Sequence, residues 1–149
     1  MKRYKQCLAV AAVTVLVACG AEKADSGAMA ASEPLTGVEW RVVSVTAGGA
    51  THSAPAAASP RLRIGADGRA AGNLGCNQFS APATVQGDRI TFGALRTTKM
   101  ACDPARMTFE RALSRALDGQ TLTGSAEHGD LTLTTSHGDR VNLTRNPHG

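Results

Sequence analysis

Four glycine-bearing turns punctuate the chain and constrain its fold more than any other feature. They are Gly65-Ala66-Asp67-Gly68, Gln86-Gly87-Asp88, Glu127-His128-Gly129-Asp130 and Ser136-His137-Gly138-Asp139. Glycine and aspartate supply the backbone conformations that tight hairpins need. The segments they join are too short for helices and alternate apolar with polar residues, so they predict strands at 61–64, 69–73, 83–85, 89–92, 121–125, 131–135 and 140–144. Upstream, Val38, Trp40 and Val42 alternate with Glu39 and Arg41 as a further half-buried strand. The small-residue stretch 47–60 predicts a surface loop.

One stretch escapes this punctuation. Asp103 is a good N-cap and Pro104 suits the first helical position. Phe109, Leu113, Ala116 and Leu117 then recur at helical spacing, and Gly119 stands where a helix ends. Arg106, Glu110, Arg111, Ser114 and Arg115 are assigned to the opposite, solvent face. The fold class expected is α+β: a single antiparallel, sheet-rich domain with one amphipathic helix packed on the sheet. A chain of 149 residues with 3% aromatics leaves that domain a light aliphatic core.

The N-terminus follows a different logic. Lys2, Arg3 and Lys5 precede an uncharged stretch over residues 7–18, which is too short to span a bilayer and matches an export signal. Its end, Leu16-Val17-Ala18-Cys19, resembles the bacterial lipobox, in which cleavage precedes a diacylglyceryl-modified cysteine. Residues 1–18 are therefore expected to be a lipoprotein signal peptide. Residues 19–34 are expected to be the lipidated Cys19 with a flexible Ala/Ser/Gly tether, and residues 35–146 the domain. Removal of three of the 16 basic residues leaves 13 against 12 acidic ones. The formal +4 charge falls to about +1, which argues against nucleic acid as a partner. Two or more acyl chains anchor stably, so the expected partner is a membrane, through the lipid.

Only Cys76 and Cys102 then need an account. In an exported chain a disulfide is the simplest one, with free buried thiols or a redox pair as alternatives. Bridging them closes a loop worth roughly 3.5 kcal/mol in chain entropy. A metal site is not expected, because His128 and His137 lie in turns at opposite ends of one strand. No cofactor is expected either. Ser80 or Ser114 would need a nearby His and acid for nucleophilic catalysis, and no Gly-x-Ser-x-Gly elbow or paired-carboxylate pattern is present.

Residues 72–110 resemble the META domain, the HslJ-like family of bacterial envelope proteins. The resemblance rests on Gly72, Gly75-Cys76-Asn77, Phe79-Ser80, then Thr98-Lys99-Met100-Ala101-Cys102, with Glu110 in the helix. The flanking Trp40 segment and the C-terminal hairpins extend it over roughly residues 35–145. Ala81 departs from the family's usual glycine. The resemblance implies an exported, extracytoplasmic domain associated with stress response, motility or secretion, with no established reaction. Gly75, Asn77, Thr98, Lys99 and Glu110 are the motif residues that a binding role would use. The structural alternatives are an Asn77 amide that satisfies a glycine-dependent loop and a Glu110 that pairs with Arg106 or the helix dipole.

The function expected is a non-enzymatic cell-envelope lipoprotein, lipid-anchored outside the cytoplasm and monomeric, that binds or supports the envelope under stress. The alternatives are an inhibitor or accessory lipoprotein of an envelope enzyme or secretion partner and, last, a hydrolase.

Overall fold

A computed structural model describes residues 33–147. The lipobox, Cys19 and most of the expected tether lie outside these residues. The element order is β1 (Glu39–Ala47), β2 (Ala50–Ser53), β3 (Arg61–Ile64), β4 (Arg69–Asn73), β5 (Gln78–Gln86), β6 (Arg89–Phe92), β7 (Arg96–Thr97), α1 (Pro104–Leu117), β8 (Thr121–Glu127), β9 (Asp130–Thr135) and β10 (Arg140–Arg145).

The expected α+β arrangement, an antiparallel sheet with one helix packed on it, is not what forms. Strands β1, β3, β4, β5, β6, β8, β9 and β10 pair in that order, all antiparallel, and β10 returns to pair with β1. The domain is a closed eight-stranded barrel, with β2 added beside β1 and β7 beside β5. Closure removes the exposed edges that an open sheet would carry. Eight strands leave an interior just wide enough for side chains to fill. Here that filling is Val, Leu, Ile and Ala around Trp40, Phe79, Phe92 and Phe109, every one of them buried.

The closing seam carries one irregularity. The β1–β10 register slips between Val42 and Ser44. Trp40 and Val42 point inward on one side of the slip and Val45 on the other, so the bulge restores the inward phase after an extra residue. Pro82 sits inside β5, where a missing N–H should break a ladder. It is tolerated because the strand changes partner there: Phe79 and Ser80 pair with β7, and pairing with β6 begins at Ala83.

Sequence and structure agree closely on β3, β4, β6 and α1. The stretch 47–60 is not simply a loop, because β2 folds back on β1 within it. The helix touches β1, β2 and β10. Its Phe109, Leu113, Ala116 and Leu117 belong to the same core cluster as the strand interiors. Leu35 packs against that cluster from the entering chain, its carbonyl accepting a hydrogen bond from the Trp40 indole N–H at 3.3 Å. Leu35 also approaches Gly124, where a Cβ would stand 3.3 Å from its side chain.

Candidate functional site

The motif residues converge where the β4–β5 connection meets the segment before α1. Gly72 in β4 faces the Arg61 carbonyl so closely that a Cβ would stand 1.9 Å from its oxygen. Gly75 turns the chain with φ +127°, and a Cβ there would press on the Phe109 ring. This conformation is costly for any residue but glycine. It presents the next two backbone N–H groups, those of Cys76 and Asn77, to the helix.

Glu110 receives them. Its Oε2 accepts from the Cys76 N–H at 3.0 Å and from the Asn77 N–H at 2.6 Å, and its Oε1 accepts from the Asn77 amide at 2.7 Å. Glu110 as a whole is 8% exposed. The expected solvent-side placement and pairing with Arg106 are therefore corrected: Arg106 pairs with Asp103 instead. Glu110 stands three residues before Leu113 and seven before Leu117, on the buried stripe itself. That spacing was the signal for its burial, and a charged residue on an apolar stripe is the pattern to look for. A buried carboxylate is stable only when donors surround it, and here the Gly75 turn supplies two of them.

Asn77, 3% exposed, uses its whole side chain. The amide nitrogen donates to Glu110 and to the Met100 carbonyl at 3.1 Å. The amide oxygen accepts from the Thr98 hydroxyl at 2.8 Å and the Met100 N–H at 2.6 Å. An amide has two donors and two acceptor positions, so nothing is left over for a ligand. Thr98 in turn accepts from the Gln78 N–H at 3.1 Å. Cys76 and Cys102 stand with their sulfurs 2.03 Å apart as a disulfide, and the Cα atoms are 6.0 Å apart.

The arrangement is thus a brace. Three chain segments, 74–78, 98–102 and α1, are joined by one disulfide, one buried carboxylate and one saturated amide. Gly75, Asn77 and Glu110 face inward, whereas Thr98 and Lys99 are exposed. The helix begins beside the brace: Asp103 caps it by accepting from the Arg106 N–H at 3.0 Å. That backbone bond, with the Arg106 side chain, holds the Asp103 carboxyl below its ordinary value of 3.8.

The surface hollows lie elsewhere. One of about 200 Å³ sits where the entering chain, with Leu35 and Thr36, meets Val85 and Gly124. A trough of about 450 Å³ crosses β8 and β9 and is lined by threonine and serine hydroxyls with Arg89 and Gln120. Another of about 510 Å³ lies between β2 and the start of α1, with His52 and Ser53 on its wall. None of these three is lined by a motif residue. Ser80 stands on β5 between Ala71 and Arg96, and Ser114 is half-buried on α1. Among the described residues, no three His, Cys, Asp or Glu side chains gather in a way that would hold a metal ion.

The META domain family model matches residues 33–148. No curated protein matches the sequence. Among solved structures, an NMR structure of a protein from Burkholderia xenovorans superposes with a TM-score of 0.62 at 22% identity, covering 99% of each chain. A second NMR structure has a TM-score of 0.54 at 18% identity, covering 72% of this chain and 88% of that one. At these identities the likeness is one of fold.

Proposed function

Since the chain belongs to the META domain family, we propose that it is a non-enzymatic lipoprotein of the bacterial cell envelope, working by binding or by supporting the envelope under stress. The observation that carries this reading is Leu16-Val17-Ala18-Cys19, placed directly after a basic and an apolar segment. A brace that consumes its own polar groups fits a domain built for mechanical persistence outside the cytoplasm. There a disulfide such as Cys76–Cys102 endures. On this reading the acyl chains hold the protein to a bilayer, and whatever it binds meets the outer strand faces rather than the motif residues. The test is metabolic labelling of the full chain with radioactive palmitate in a bacterial host. Label in the membrane fraction that disappears with Cys19→Ala supports the reading. A soluble, unlabelled product refutes it.

A further inference from the structure

The outward positions of β1, β3, β4, β5 and β7 carry five arginines against one acid, Glu39. Arg41 on β1 stands directly opposite Arg61 on β3, and Arg63 on β3 lies between Glu39 and Ala71. The same row continues through Ser80 to Arg96 on β7. Arg69 projects from the start of β4, opposite Pro82. All five arginines are exposed. Glu39 is the one acid at the outward strand positions of this face, 3.9 Å from Arg61. Like charges directly opposed across a strand pair cost stability, so Arg41 and Arg61 have no structural benefit together.

Between the arginines the platform is small and polar: Ala71, Asn73, Gln78 and Ser80. On a closed eight-stranded barrel the four steps from β1 to β7 turn through about half the circumference. The arginines that share an outward direction are therefore Arg41, Arg61 and Arg63 on the adjacent strands β1 and β3, with Arg69 next to them on β4. This face lies on the outside of a barrel, and the hollow of about 320 Å³ at its β3–β4 corner is lined by Gly65, Ala66, Gly68 and Thr84, with no charged group to hold a small anion. The face also lacks the exposed aromatic platforms on which single-stranded nucleic acid stacks, because Trp40, Phe79, Phe92 and Phe109 are all interior. What suits such a face is an extended anionic surface.

We propose that this arginine face docks the domain onto a bilayer carrying anionic headgroups. The proposal rests on the lipoprotein reading for its setting. Thirteen residues separate Cys19 from Glu33, a reach of at most about 45–50 Å. The chain enters the barrel through Gly37, whose N–H donates to the Ile64 carbonyl at 2.8 Å, immediately beside Arg63. A lipid on Cys19 would therefore hold the face within range of the headgroups at high local concentration. Each arginine near an anionic surface contributes about fivefold in affinity, and the attraction is weakened by salt.

The test uses the mature chain from residue 19 with Cys19→Ala, whose core lies wholly within residues 40–143. It carries no lipid, so its result is independent of whether Cys19 is acylated. Sedimentation with phosphatidylcholine vesicles, with and without phosphatidylglycerol, measures binding. Arg41→Glu/Arg63→Glu is compared with Arg111→Glu/Arg115→Glu, which makes the same charge change on exposed positions of α1. Binding only to the anionic vesicles, weakened by salt and reduced at least about 25-fold by the first pair but not the second, supports the proposal. Equal losses from both pairs, binding to heparin but not to vesicles, or no binding at all would overturn it. A far-ultraviolet spectrum and melting curve for each variant show that the fold is kept. If the double variant unfolds, Arg41→Gln alone, with about fivefold expected, decides.

Discussion

Truncating Glu110 to alanine should cost the domain about 3–5 kcal/mol. The side chain accepts three hydrogen bonds, from the Cys76 N–H, the Asn77 N–H and the Asn77 amide. Removing it leaves those donors buried without an acceptor, at about 1–3 kcal/mol each. The sum of about 3–9 kcal/mol is reduced because a buried charge is removed with the bonds. Glu110→Gln is the finer probe. Its carbonyl oxygen can keep both backbone bonds, but its NH₂ then faces the Asn77 NH₂, so one bond is lost at about 1–3 kcal/mol. Urea unfolding followed by circular dichroism gives both values, and the Asn77→Ala/Glu110→Ala double mutant gives their coupling. A surface ion pair with Arg106 would contribute at most about 1 kcal/mol. A loss below about 1 kcal/mol for Glu110→Ala, with no coupling to Asn77, would refute the brace. If the alanine variant fails to fold, the glutamine variant still supplies the number.

Three further outcomes follow from the same geometry. Reducing Cys76–Cys102 should destabilise the domain by roughly 3.5 kcal/mol, read as a lower melting temperature in dithiothreitol; an unchanged melt would count against it. Gly72→Ala should abolish or severely weaken folding, because its Cβ would meet the Arg61 carbonyl oxygen at 1.9 Å. Gly87→Ala meets nothing within 4 Å at φ +62° and should cost only about 1 kcal/mol, so similar losses in denaturant would contradict the packing account. Asp103→Ala should lower stability at neutral pH. The folded carboxyl lies below 3.8, so its contribution is present above that pH and disappears as pH falls through the folded value. The gap to wild type should therefore close in acid, and a gap constant from pH 7 to pH 2 would exclude the cap.

Much of the local structure is legible in the residues. The turns Gly65–Gly68 and Glu127–Asp130 fall where glycine and aspartate place them, and His128 adopts φ 54° at the tip of the β8–β9 hairpin. Asp103, Pro104 and the Phe109–Leu117 stripe delimit the helix to within a residue. The first half of β5 is less legible, because Pro82 reads as a strand breaker until its change of partner is seen. β2 hides in a stretch of Ala, Gly and Ser that carries no apolar alternation. It is a strand because β1 offers it a partner edge, which is a tertiary fact. For Glu110, residue type and position on the helix point opposite ways: a carboxylate favours solvent, and its place on the buried stripe prevails because donors meet it there.

The sequence by itself determined the strands' inward faces, the hairpin turns, the helix with its caps, and the two motif segments that identify the family. Each rests on interactions between residues near one another in the chain. Only the tertiary structure decided that the sheet closes and which donors receive the Glu110 carboxylate. An open sheet and a barrel demand the same alternation from every strand. What separates them is the pairing of Trp40–Thr46 with Arg140–Arg145, a contact between the two ends of the domain made in register by a bulge. Likewise, the donors that make a buried carboxylate tolerable come from a glycine turn more than thirty residues upstream of Glu110. No local pattern around either segment carries that information.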